Sequence, residues 1–297
     1  MKNGVAGAAA AMFLVGTLAG VSGLIQDYPV YGGQAVRYLV AALIWLVVIR
    51  VLGLRFVRLT ARETLLLAGL TLLGLVLFNM CVIESARDSG PALVGTVLGT
   101  VPLALALLGG RPAPRLLVGA LVVVGGATLA TGLGSGSLTG LLWALGAFVG
   151  EVSFSMLAIP LLPKLGAVRL SAYSTVLAVP MLAAIGLVKE GPGMLRAPTA
   201  GQGLGLVYLA TVVTVVAFFL WYSALPKLGP GRAGLFAGLI PVGAIVTGLV
   251  LGIAVPSSYD LLGAGLVIAG ILIGQSRAGR RARPGAERVS VPAHTPQ

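Results

Sequence analysis

Glu151 is the residue with the clearest chemical potential in the sequence. It stands in "AFVGEVSFSM", an otherwise apolar and small-residue run. An ionisable group at the centre of a membrane helix costs about 2.5–3.5 kcal/mol on insertion scales, so such residues mark ion pathways, proton relays or buried partners. A carboxyl lining a cavity can take up and release a proton, or face a cationic substrate. The structural alternative is a carboxyl satisfied by Ser153, Ser155 or a backbone carbonyl. Arg37 and Glu84 fall at compatible depths near the outer ends of neighbouring apolar segments. They could form a structural ion pair, reach independently to the interface, or act as a gate contact. Tyr208, Thr211, Phe218 and Tyr222 are spaced to share one helical face. With Phe78, Asn79, Trp143 and Phe148 they supply the aromatic and polar groups of a mostly apolar small-molecule pocket. The same residue types also serve as interface anchors and packing.

Other chemistry finds little material. The only histidine, His294, is near the C-terminus, and the only cysteine is Cys81. No His/Cys/acid cluster has metal-ligand spacing, and no nucleophile in an apolar segment has a histidine base, so neither a metal, a cofactor nor an enzymatic activity is expected. "GLGSGS" from Gly132 lacks the strand and the lysine of a phosphate loop.

The elements that must position these groups follow from composition. The 297 residues are 58% hydrophobic and 9% charged, against about 25% charged in soluble domains. The chain cannot clothe a water-facing surface and is read as an all-α integral membrane protein. Cutting at charges and Gly-Pro pairs gives ten spans, near 4–25, 33–53, 63–84, 90–110, 115–133, 138–162, 168–189, 202–225, 231–254 and 260–276. The first reads as a retained span rather than a cleaved signal. Lys2, the Arg50/Arg55/Arg58/Arg62 loop, Arg111 and Arg115, Lys164 and Arg169, Lys227 and Arg232, and the basic tail fall on one side. The other side holds Arg87, Lys189 and Arg196. By the positive-inside rule both termini are cytoplasmic and the protein is multi-pass in the cytoplasmic membrane. The net charge of +12 then reports loop basicity, not nucleic acid. The tail, 277–297, reads as disordered, with a weak option of contacting anionic lipid.

A phrase repeats. "GPALVGTVLGTVP" from Gly90 and "GPGRAGLFAGLIP" from Gly229 share Gly-Pro, Gly-x-x-x-Gly and a distal proline. Pro91 answers Pro230, and Pro102 answers Pro241, at one constant offset along the chain. "LVGALVVVGG" from Leu117 answers "LLGAGLVIAG" from Leu261. Gly16/Gly20 and Gly146/Gly150 suggest that the first and sixth spans match too, which sets Val21 opposite Glu151. Spans one to five (1–134) recur as six to ten (135–276). Five is odd, so the second copy is inverted, as in secondary transporters. Pro102 and Pro241 lie roughly 16 Å into their helices. Each removes a backbone hydrogen bond from the carbonyl at Leu98 or Ala237, which is tolerated at that depth against protein or a wet cavity. Helices four and nine are therefore expected to line a central cavity.

"AVRYLVAAL", "SALPKLGPGRAGLFAGLIPVGAIVTGLVLG" and "LLGAGLVIAGILIG" resemble EamA-type transporters of the drug/metabolite transporter superfamily, over nearly all of 4–276. The acid that many members place after Leu-Gly beyond the ninth helix is missing; Ile253 follows Leu251-Gly252 here. The resemblance implies two five-helix units around a cavity, and export or exchange of a small metabolite such as an amino acid or related compound, with protons as a possible coupling ion. A cationic drug exporter, with Glu151 as counter-charge, is the alternative. A non-transporting lipid-binding or scaffold protein is a second class. The residues do not fix an oligomeric state.

Overall fold

The computed structural model describes residues 2–25, 27–132, 136–252 and 255–276. The tail therefore lies outside the described residues, as do His294 and Ile253. Among those described, the regular structure is entirely helical. In chain order the helical segments are α1 (Lys2–Gly16), α2 (Val30–Val51), α3 (Ala61–Ser89), α4 (Pro91–Leu98 and Val101–Leu108), α5 (Pro114–Thr131), α6 (Leu138–Met156), α7 (Leu162–Glu190), α8 (Ala200–Leu228), α9 (Pro230–Val250) and α10 (Ser258–Gln275). Eight of them are long and apolar enough to cross a membrane. The other two are α1 and α4. After α1 the chain turns at Thr17 into the short helix Leu18–Ser22, and α4 breaks at Gly99–Thr100, just before Pro102. A proline removes the donor that would bond one turn back, and glycine weakens the helix there further.

Structural punctuation recurs at the offset that relates Pro91 to Pro230, well beyond the repeated phrase. The α3 and α8 N-termini carry capping boxes, Thr60 with Glu63 and Thr199 with Gln202. Each satisfies two orphan backbone donors reciprocally. Both helices then widen into π-helix, over Leu70–Leu77 and Leu209–Val216. Both end at a glycine with φ near +79° or +74°, Gly90 and Gly229, each followed by a proline opening the next helix. That left-handed backbone is open to glycine at little cost.

Close packing follows the same spacing. A Cβ on Gly7 would meet the carbonyl of Leu220, and one on Gly146 would meet Sγ of Cys81. Gly146 stands at that same offset from Gly7, and Leu220 at that offset from Cys81. The Gly16/Gly20 motif packs on Ile240, Gly243 and Thr247, whereas Gly150 packs on Leu73 and Phe78. These neighbours are not equivalent, so that motif does not set the register. At the common offset the counterpart of Glu151 is Met12, not Val21. α5 and α10 cross antiparallel, Gly119 against Gly270 and Gly126 against Gly263, with backbones close enough that a Cβ would sit 2.5–2.8 Å from the partner helix. Small residues permit this approach, and packing rather than a hydrophobic drive holds helices together in lipid.

The two ends differ. At one, Tyr28 Oη donates to the Arg196 carbonyl (2.9 Å), and Glu190 accepts from the Tyr31 and Gly32 amides at 3.0 and 2.8 Å, capping α2. At the other, Lys164 pairs with Glu63 at 2.6 Å, Arg169 donates to the Arg55 carbonyl, and the Val57 amide donates to Tyr173 Oη. Beneath this second set, Leu161, Leu165, Leu170, Tyr222 and Leu225 form part of a fully buried apolar plug.

Candidate functional site

The middle of the bundle holds a cavity of about 210 Å³ walled by both halves of the chain. The halves contribute matching positions at the repeat offset: Met12 and Glu151, Val15 and Phe154, Gly74 and Val213, Phe78 and Ala217, Asn79 and Phe218, Val82 and Trp221, Leu98 and Ala237. The π-helical segments bring Gly74 and Val213 to the wall. Such segments are rare and concentrate at functional sites. Nothing in the apolar pattern of "LTLLGLVL" or "LATVVTVV" announces them. Pro102 and Pro241 are not in the cavity lining, contrary to expectation, while Leu98 and Ala237, one turn before them, line it.

The polar groups break this symmetry. Glu151 is half-buried and faces the cavity with no hydrogen-bond or ion-pair partner among the described residues. Ser155, a candidate for satisfying it, is buried with its own hydroxyl unpartnered among the described residues. Tyr38 and Tyr222 lie within electrostatic reach of the carboxyl. Asn79 lines the cavity and donates to Tyr38 Oη (3.2 Å) and to the Leu75 carbonyl (2.5 Å).

Arg37 and Glu84 do not pair with each other. Arg37 is 4% exposed and lines the cavity. Its Nε donates to Thr214 Oγ1 (2.8 Å), its Nη1 to Gln34 Oε1 (3.3 Å), and its guanidinium lies 5.4 Å from the Tyr38 ring centre. Glu84 instead accepts from Tyr31 Oη and pairs with Arg87 at 3.7 Å. Thr214 belongs to the π segment, where its hydroxyl bonds the Leu209 carbonyl five residues back.

The expected face of α8 is divided. A π turn closes i→i+5, so one residue slips and everything beyond rotates by about 100°. Phe218 therefore faces the cavity, while Tyr208 and Thr211 face an apolar groove between α1, α8 and α9. Tyr208 there shares a hydrogen bond with Thr17 (2.8 Å). Tyr222 packs on the wall residue Phe154, with ring centres 5.0 Å apart and its hydroxyl unpartnered among the described residues. Trp143, 37% exposed, and Phe148 lie on α6 away from the cavity lining. Phe78 is in the wall, as expected.

A second hollow of about 620 Å³ shares Leu18, Asn79 and Val82 with the cavity and extends past Gln34, Ile83 and Ala86 to Tyr28 and Arg87. At the offset that relates Pro91 to Pro230, Gln34, Ile83 and Ala86 correspond to Tyr173, Tyr222 and Leu225, which sit in or against the buried plug. The cavity therefore adjoins a hollow toward one end of the molecule, while the matched positions toward the other end are packed in or against the plug.

An apolar-walled cavity inside a bundle of membrane-length helices defines a multi-pass membrane protein built to hold a small solute. Residues 138–274 match the EamA-like transporter family. The chain is 26% identical over 281 residues to "Uncharacterized transporter YetK" of Bacillus subtilis (strain 168), covering 89% of this chain and 84% of that one. A crystal structure described only as that of a protein superposes with a TM-score of 0.78 at 18% identity, over 91% of this chain and 97% of the other. The family match over residues 138–274 and the Bacillus relative support the resemblance read in the sequence, to EamA-type transporters of the drug/metabolite transporter superfamily.

Proposed function

We propose that the protein is a secondary carrier that moves a small metabolite across the cytoplasmic membrane by alternating access, outward in the cell, with Glu151 as the proton-coupling carboxyl. The observation that carries this reading is an acid without a hydrogen-bond or ion-pair partner among the described residues, in a cavity whose walls come from matched positions of both halves. An ionisable group kept in such a place at the cost of its desolvation has a default functional reading. Ten spans in two inverted five-helix units, 1–134 and 135–276, with both termini cytoplasmic, supply the frame. Support comes from the recurrence of caps, π segments and cavity positions at one spacing. It also comes from the antiparallel crossing of α5 and α10, in which the Gly119–Gly270 contact is answered by Gly126–Gly263. Corresponding helices that cross antiparallel are what an inverted repeat requires. The basic loops then put the open end, with Tyr28 and Arg87, outside.

The cationic drug exporter is the weaker reading, because Arg37 opposes a cation in the same cavity. Exchange of labelled metabolites by purified protein in liposomes tests the proposal. Counterflow of at least one metabolite above protein-free liposomes supports a carrier, and its absence across a broad panel favours a lipid-binding or scaffold protein.

A further inference from the structure

Among the described residues, the buried guanidinium of Arg37 has no anion. It lies on a membrane-length helix, is 4% exposed, and has no carboxylate within ion-pair distance among the described residues. Thr214 and Gln34 take one hydrogen from Nε and one from Nη1, which leaves Nη2 without a protein acceptor among the described residues. Neither acceptor carries charge. A buried cation held by neutral dipoles alone is an incomplete arrangement, since desolvation is repaid only by a counter-charge in good geometry. The acid available on the sequence, Glu84, is held elsewhere by Tyr31 and Arg87. Glu151 shares the cavity but stands outside ion-pair distance.

Position adds to this. Gln34, which holds Nη1, belongs to the open hollow, while Arg37 itself belongs to the cavity wall. Arg37 thus stands where the two spaces adjoin. A guanidinium presents parallel donors that match a carboxylate. Next to it the wall is apolar and aromatic, with Phe78, Phe154, Phe218 and Trp221.

Resting on the carrier reading above, we infer that Arg37 is the substrate's anion-binding group and that the substrate is a small amphipathic organic acid. Its carboxylate pairs with the Arg37 guanidinium and its apolar body lies against the aromatic wall. The hydrogen bonds from Arg37 to Thr214 and Gln34 fix the guanidinium plane so that the free edge faces the solute. The π segment of α8 is what brings the Thr214 hydroxyl to that place.

Binding of hexanoate and 3-phenylpropionate, each against its primary amide, tests this on the purified full chain at neutral pH. Trp221 in the wall offers an intrinsic fluorescence signal. The acids should bind at least about tenfold tighter than the amides, since a charge-assisted pair replaces a neutral contact. Arg37→Gln should bring that ratio to about one, and Arg37→Lys should retain part of it. Equal binding of acid and amide by the parent, binding of neither, or an unchanged preference in Arg37→Gln overturns the inference. If Arg37→Gln does not fold, the parent ratio and the partial ratio in Arg37→Lys decide. A guanidinium with a purely structural role would leave the parent ratio at one. Binding in detergent is read without transport. A chain that exchanges solutes in liposomes but ignores the carboxylate loses this inference alone, and one that selects acids but carries nothing loses the carrier reading alone.

Discussion

Glu151 was legible as a single odd letter in an apolar run, because the cost of burying a charge is a property of residue type alone. The partner of Arg37 was not. Sequence depth made Glu84 a candidate, but which way each side chain turns depends on helix rotation and on who else is within reach. Tyr31 and Arg87 capture Glu84, and a π-helical threonine captures Arg37. Glu151 should be replaceable for folding, since it holds no other helix by a hydrogen bond among the described residues. Glu151→Ala should lower the unfolding free energy in detergent by less than about 1 kcal/mol. A larger loss, read by thermal unfolding, would show the carboxyl to be a structural tie. Asn79 differs because it donates to Tyr38 at 3.2 Å beside the cation. Asn79→Leu should weaken solute binding while leaving the pH dependence of transport unchanged, measured as KM against pH.

Helix ends were the most readable elements, because Gly-Pro pairs and Thr-x-x-Glu or Thr-x-x-Gln boxes act locally. The π segments were invisible, since the sequence of an i→i+5 turn looks like any apolar helix, and their slip divided Tyr208 and Thr211 from Phe218. The Gly-x-x-x-Gly register also misled, because small residues recur wherever helices pack closely. Close approach can be tested with an internal control. Gly125 and Gly265 have no atoms near a would-be Cβ, while Gly126 meets the Gly263 carbonyl and Val267 amide at 2.7 and 2.8 Å. Gly126→Leu should cost about 1–3 kcal/mol through overpacking, and Gly125→Leu should stay within about 0.5 kcal/mol. Equal melting temperatures for the two variants would mean that the α5–α10 contact does not hold the halves together.

At the scale of the molecule, composition alone gave a helical membrane protein, and the constant offset between the two Gly-Pro phrases pointed to two related halves. Which end is open could not be read from letters, because matched positions such as Ala86 and Leu225 differ only in how their surroundings pack. One borders the open hollow and the other is buried in the plug. In a Cys81→Ser background, Ala86→Cys should react with a membrane-impermeant maleimide added outside, and Leu225→Cys should resist it from either side until transport begins. Reaction of both residues at equal rates in the resting protein would remove the asymmetry on which alternating access rests. The central claim is that a carrier couples solute movement to protonation of Glu151, and the most direct measurement is accumulation of a counterflow-active solute in liposomes under an imposed pH gradient. Gradient-driven accumulation is expected of the parent, and its loss is expected in Glu151→Gln, with solute exchange at equal pH preserved. The same gradient dependence in Glu151→Gln as in the parent would contradict the claim.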